Sequence, residues 1–214
     1  MYKKSFTLAE VLIALVIIGI VAAITVPTLI ANSKDEEIKS LLKKNHSVIE
    51  QALRFYYLDN GIVPRGNDFE ARTFKEVFKK HFIILKDYGW SNYYNSSNHY
   101  NDYKNYNGTN TLYHYLFDDG QFVLNDGSFI MIENPSSSSN KVFITVDVNG
   151  YAKKPNRLGK DLFMFQIDNQ GKLLPMGSEG TAYPADAYCS KTSDSDLNGA
   201  ECTVKILTYK KNKK

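Results

Sequence analysis

The longest apolar stretch in the chain lies near its start. Residues 11–24 contain no polar side chain, and residues 25–31 extend the run to the ~20 helical residues that cross a bilayer. Lys3 and Lys4 precede it, a flank that holds the short leading end in the cytoplasm and places the rest beyond the membrane. An amphipathic pattern follows. Ser33-Lys34-Asp35-Glu36 reads as a capping box. Ile38, Leu41, Leu42, Val48, Ile49, Ala52, Leu53, Phe55 and Tyr56 then make one stripe at helical spacing. Asn60-Gly61 is a stop, with Pro64 shortly after. The pattern predicts helix over 6–58, with a kink or break between Pro27 and Ser33, roughly 80 Å in all at 1.5 Å per residue.

Thr73-Phe74-Lys75-Glu76 is a second capping box. It predicts a short amphipathic helix carrying Phe74, Val77, Phe78, Phe82 and Leu85 and ending before Gly89. Residues 88–115 are rich in Tyr and Asn and poor in aliphatics. They read as a long polar surface loop, or else as a contact surface, since Tyr supplies amphipathic area at low entropy cost. Short strands and turns come next. Segments 112–116 and 121–124 flank the turn Asp118-Asp119-Gly120, and Asn125-Asp126-Gly127 leads into 128–132. Segment 141–148 alternates, with Val142, Ile144, Val146 and Val148 on one face. Further strands are expected at Phe163, Phe165 and Ile167, at Leu173-Leu174, and at Val204, Ile206 and Thr208. The fold class is α+β: a long N-terminal helix, its first part transmembrane, packed on a C-terminal antiparallel sheet.

Composition narrows the function classes. The mean hydropathy of −0.35 excludes a multi-span membrane protein. The net charge is +3, too small to mark a nucleic-acid binder, and six terminal lysines (Lys3, Lys4, Lys210, Lys211, Lys213, Lys214) hide a remainder of −3. The lysine tail reads as a solvated terminus, or else as a hold on an acidic partner or a nucleic-acid backbone. No His ligand spacing, P-loop or full set of catalytic motifs is present, so nothing in the sequence points to an enzyme.

The apolar run alone fits a plain signal anchor, a buried core helix or a cleaved secretory signal. A secretory signal would want a small-x-small site after it. Thr25-Val26-Pro27-Thr28 is a poor one, although Ala22-Ala23 leaves it open. Glu10 changes the weighing. A carboxylate in an apolar span costs roughly 2.5–3.5 kcal/mol near the bilayer centre and less near an edge, so it calls for a partner. The obvious partner is an amine, and the run holds none. A cut before Phe6 would make one.

Lys3-Lys4-Ser5-Phe6-Thr7-Leu8-Ala9-Glu10 and the apolar helix behind it resemble the N-terminus of type IV prepilins and pseudopilins. The resemblance implies cleavage between Ser5 and Phe6 by a membrane-embedded prepilin peptidase, N-methylation of Phe6, and pairing of Glu10 with a neighbouring subunit's N-terminal amine. Pro27 falls where that family often has a helix-kinking proline. Ser5 departs from the family's usual Gly before the cut, and slower cleavage is expected from it. Asp147-Val148-Asn149-Gly150, Pro155-Asn156, Gly159-Lys160-Asp161 and Phe163 are similar to a segment of bacterial pilin-like type II secretion system proteins.

Beyond the membrane the compartment is oxidising, so Cys189 and Cys202 are expected to pair, the alternative being free or metal-binding thiols. The resemblance points the same way, because the family often staples its C-terminal region. Asp194, Asp196 and Asn198, with Gly199, match the first half of an EF-hand loop. The bidentate Glu would fall at Lys205, and Glu201 is off register. A calcium site and a solvated turn are both open there. Some pseudopilins bind calcium, which keeps the first reading alive. Asp147, Asn149 and Asp161 form a second candidate group.

These readings divide the chain into a leader (1–5), a hydrophobic assembly helix (6–31) and a soluble pilin-like domain (32–214). The expected function is a structural subunit of a type IV pilus or type II secretion filament. It would sit in the bacterial inner membrane as a single-pass protein with its globular domain periplasmic, before joining a filament. Expected partners are the prepilin peptidase and other pilin or pseudopilin subunits, with no nucleic acid. The alternatives are a membrane-anchored binding or adhesion protein that does not polymerise, and an anchored hydrolase.

Overall fold

A computed structural model describes residues 7–90, 99, 102–112, 117–135, 141–183 and 187–208. Its contacts divide into two units, one ending at Glu37 and one beginning at Ile38. Helix α1, Leu8–Asn60, starts in the first and ends in the second. The first part is long and apolar enough to cross a membrane, by length and composition.

The expected break between Pro27 and Ser33 is absent, because the helix runs through both. Pro27 removes one ladder donor. The hydroxyls of Thr25 and Thr28 turn back onto the carbonyls of Val21 and Ile24 at 2.9 and 3.3 Å. Ser33 therefore caps no helix end. Residues 34–44 are mostly Lys, Glu and Leu, good helix formers that carry the pattern on.

In the second unit, α1 buries Leu42, Ile49, Ala52, Leu53 and Tyr56. Phe55, expected on that stripe, is exposed, and Asn45 is buried in it instead. The Asn45 amide donates to the Leu41 carbonyl at 3.0 Å. Six strands form one antiparallel meander in chain order: β1 Ile84–Gly89, β2 Gly120–Leu124, β3 Phe129–Glu133, β4 Val142–Asp147, β5 Leu162–Ile167 and β6 Leu173–Pro175. One face, with Phe122, Ile130, Ile144, Val146, Phe163 and Phe165, packs in the same core as the α1 stripe and as α2, Phe74–Phe78. The other face, with Phe129, Met131, Phe143 and Met164, is covered by Tyr103, Leu112, Phe117, Leu158 and Met176. Burial on both faces explains why the central strands set apolar residues side by side, as in Phe129-Ile130-Met131-Ile132 and Leu162-Phe163-Met164-Phe165.

Several expected elements differ. The Thr73 hydroxyl donates to the Glu70 carbonyl at 2.8 Å and caps nothing, and the free N–H of Phe74 is met by Asn134 Oδ1 at 3.1 Å. Helix α2 stops at Phe78, and Leu85 lies on edge strand β1, 71% exposed. Asp118-Asp119-Gly120 is not a hairpin turn, because β2 pairs with β1 and β3. Of the strand expected at 112–116, residues 113–116 lie outside the described residues. Val204, Ile206 and Thr208 belong to helix α3, Cys202–Thr208. There the Thr203 hydroxyl receives the Met164 N–H at 3.1 Å, and Ile206 and Leu207 pack on the core. The described part of the Tyr/Asn-rich segment is no free loop, since Tyr103 and Asn105 are buried.

Candidate functional site

The first described turn of α1 holds the N-terminal motif. The backbone N–H and the hydroxyl of Thr7 both donate to Glu10 Oε2 at 2.8 Å, and Glu10 N–H returns to Thr7 Oγ1 at 3.3 Å. This reciprocal pair satisfies orphan donors at a helix start and fixes the carboxylate there. The apolar side chains that follow, Leu8, Val11, Leu12, Ile13 and onward to Ile30, are exposed. An exposed apolar helix side needs lipid or protein around it. Ser5 and Phe6, the expected processing residues, lie outside the described residues, as does the lysine tail.

The segment after β4 braces itself around two buried carboxylates. Asp147 Oδ1 accepts the N–H groups of Asn149 and Gly150 at 3.1 and 2.9 Å, and Oδ2 accepts the Tyr103 hydroxyl at 2.6 Å. Asp161 accepts the N–H groups of Asn156 and Arg157 at 2.8 and 2.7 Å. Burial, aided by the nearby charge of Asp161 and opposed by the Tyr103 hydrogen bond, pushes Asp147 up to about 7. Burial raises Asp161 as well, against the backbone donors that it accepts from. Gly150 has φ +85°, and a Cβ there would stand 2.4 Å from the Gly127 carbonyl oxygen, so only glycine fits. The motif thus sets a tight loop between β4 and β5.

Cys189 and Cys202 form a disulfide with Cα atoms 5.2 Å apart. Inside its loop, Asn198 is fully buried and acts as a hub. Its Oδ1 accepts the Ser190 N–H at 2.9 Å, while its amide donates to the carbonyls of Ser190 and Ser193 at 2.8 and 2.7 Å and to Asn107 Oδ1 at 3.3 Å. Asp194 is exposed and Asp196 half-buried. Lys205, at the position where a calcium-binding loop would carry Glu, pairs with buried Glu201. The hydrogen bonds of Asn198 are those of a loop anchor.

A different cluster escaped the sequence reading. Asp118, Asp119 and Glu133 are all buried, and one oxygen of each lies within 4.8 Å of the others. Arg72 approaches from one side, with Nε 3.0 Å from Asp119 Oδ1 and Nη2 3.9 Å from Asp118 Oδ2. Asn134 N–H donates to Asp119 Oδ2 at 2.8 Å. Burial, and after it the charge of Asp119, drives Glu133 well above the usual carboxylate range, and burial raises Asp119. The signal was present in the hairpin. Its centre at Asp126 sets Phe122 opposite Ile130, and the same register carried outward brings Asp119 to Glu133.

The prokaryotic N-terminal methylation motif matches residues 1–26. The chain is 37% identical over 65 residues to the type II secretion system core protein G of Escherichia coli (strain K12), covering 30% of this chain and 44% of that protein. It is 37% identical over 62 residues to the protein of the same name in Klebsiella michiganensis, covering 29% and 43%. The chain thus spans less than half the length of these curated relatives. No solved structure matches it significantly. The chain thus carries the prokaryotic N-terminal methylation motif at its start and is similar, over part of its length, to type II secretion system core protein G.

Proposed function

We propose that the chain is a structural subunit, pilin or pseudopilin, of a type IV pilus or type II secretion filament. On this reading the apolar part of α1 holds the precursor in the inner membrane, with the globular unit on the extracytoplasmic side. A prepilin peptidase cuts between Ser5 and Phe6, and Phe6 is methylated. Glu10 then leaves its local partner Thr7 for the amine of a neighbouring subunit, and apolar helices bundle into a filament core. Lipid-exposed apolar side chains are exchanged for helix–helix packing, and repeated head-to-tail contacts that do not close extend the filament. Nothing in this role requires catalysis by the chain.

The observation that carries the reading is the methylation motif at residues 1–26, with Glu10 at the start of an exposed apolar helix. Glu10→Ala tests it. A polymerising subunit loses filament incorporation while its membrane level is unchanged. Incorporation at the wild-type level would instead favour an anchored binding protein that does not polymerise.

A further inference from the structure

Three carboxylates, Asp118, Asp119 and Glu133, are 4%, 5% and 7% exposed. Ionised, they bring three negative charges to one buried spot, and Arg72 returns one positive charge from a side chain that is 48% exposed. Two negative charges are left over. Glu133 is turned into the cluster, yet its Oε2 is buried and meets no hydrogen-bond donor among the described residues. A buried carboxylate oxygen without a donor is costly, and a cation is the partner that would answer it.

We propose that Asp118, Asp119 and Glu133 form a binding site for a hard divalent cation, calcium above all. The donors are all carboxylate oxygens, the set that Ca²⁺ prefers. Their mutual spacing, within 4.8 Å, fits oxygens placed about 2.3–2.6 Å from one ion, on its flanks or across it. Asp118 and Asp119 enter on the lead into β2, and Glu133 ends β3, so the ion would clamp the open end of the β2–β3 hairpin. Arg72 and the Asn134 N–H already hold Asp119 in place, which pre-orients the site. It is separate from the Asp194–Asn198 loop and independent of the filament reading.

Trp90, the one tryptophan of the chain, provides the readout. Its ring lies 4.8 Å from the Arg72 guanidinium carbon, one side chain away from Asp119. Full-length protein in detergent is titrated with Tb³⁺ under selective tryptophan excitation, then back-titrated with CaCl2 or MgCl2. The expected result is sensitised Tb³⁺ emission that calcium quenches in preference to magnesium. The melting midpoint should also rise by roughly 5–10 °C at calcium a hundredfold above its dissociation constant. Glu133→Gln keeps the shape and removes one ligand charge, and weakens calcium binding by roughly a hundredfold. Asp118→Asn does the same if Glu133→Gln does not fold. Absence of a calcium-dependent midpoint shift, or equal Tb³⁺ emission from wild type and a folded variant, would overturn the site.

Discussion

The Tyr103 hydroxyl donates to Asp147 Oδ2 at 2.6 Å, and both residues are buried. The bond joins the Tyr/Asn-rich segment to the end of β4 across 44 residues of sequence. Tyr103→Phe removes it while leaving the ring in the core. Asp147 keeps its two backbone donors, so above pH 7, where its carboxylate is ionised, the expected loss is about 2 kcal/mol, the scale of one hydrogen bond to a charged group. Denaturant unfolding at fixed pH measures it, and an unchanged midpoint would mean that the segment is not anchored there.

The same carboxylate sets a pH dependence. Asp147 sits near 7 in the folded chain against 3.8 for the free group, so between these values the folded state holds a proton that the unfolded state has lost. Stability therefore falls as pH rises from about 4 to about 7, and levels off above. Asp161 is raised too and adds to the fall in the same direction. Melting curves across this window should show the decline, and Asp147→Asn should flatten part of it.

Asp87 acts with the opposite sign. Burial works against its charge, but hydrogen bonds from Lys75 and Lys79 overcome that and hold it at about 2. Its contribution is present above 3.8 and is lost as pH falls through 2. The Lys75 ammonium lies 2.5 Å from Asp87 on a side chain only 3% exposed. Asp87→Asn leaves that buried ammonium with Glu76 alone and should cost on the order of 3 kcal/mol. Loss of Lys79, 26% exposed, should cost well under half as much.

The Cys189–Cys202 bridge closes a loop that the Asn198 hydrogen bonds also hold. Cys189→Ser should lower stability by about 3 kcal/mol on the chain-entropy account. The loss should show as a lower melting midpoint, and a reducing agent should have the same effect on wild type and none on the variant.

Much of this fold is written in short-range pattern. The 141–148 alternation, the Asn125-Asp126-Gly127 turn and the Asn60-Gly61 helix stop all appear where the sequence places them. What failed were patterns that two structures share. Val204, Ile206 and Thr208 alternate as a strand would, but Cys202 and Ile206 are also one helical turn apart, and the Thr203 hydroxyl fastens the helical form to β5. Phe82 and Leu85 fit a helix face equally well, yet Leu85 points outward from an edge strand. Neither expected capping box forms, and Thr73 makes no side-chain cap even though it stands at the start of α2. Thr7 and Glu10 make one that was read for its charge alone, whereas Ser33 lies inside α1. The Asp118, Asp119 and Glu133 cluster was hidden because its members lie on both arms of a hairpin, and only carrying the register outward brings them together.

The account turns on processing of the N-terminus. Intact mass and N-terminal sequencing of the protein extracted from membranes of a host with an active prepilin peptidase test it most directly. A chain that starts at Phe6 and carries one added methyl group is the predicted result. A chain that still starts at Met1 would contradict it, and would leave the N-terminal helix as a plain membrane anchor.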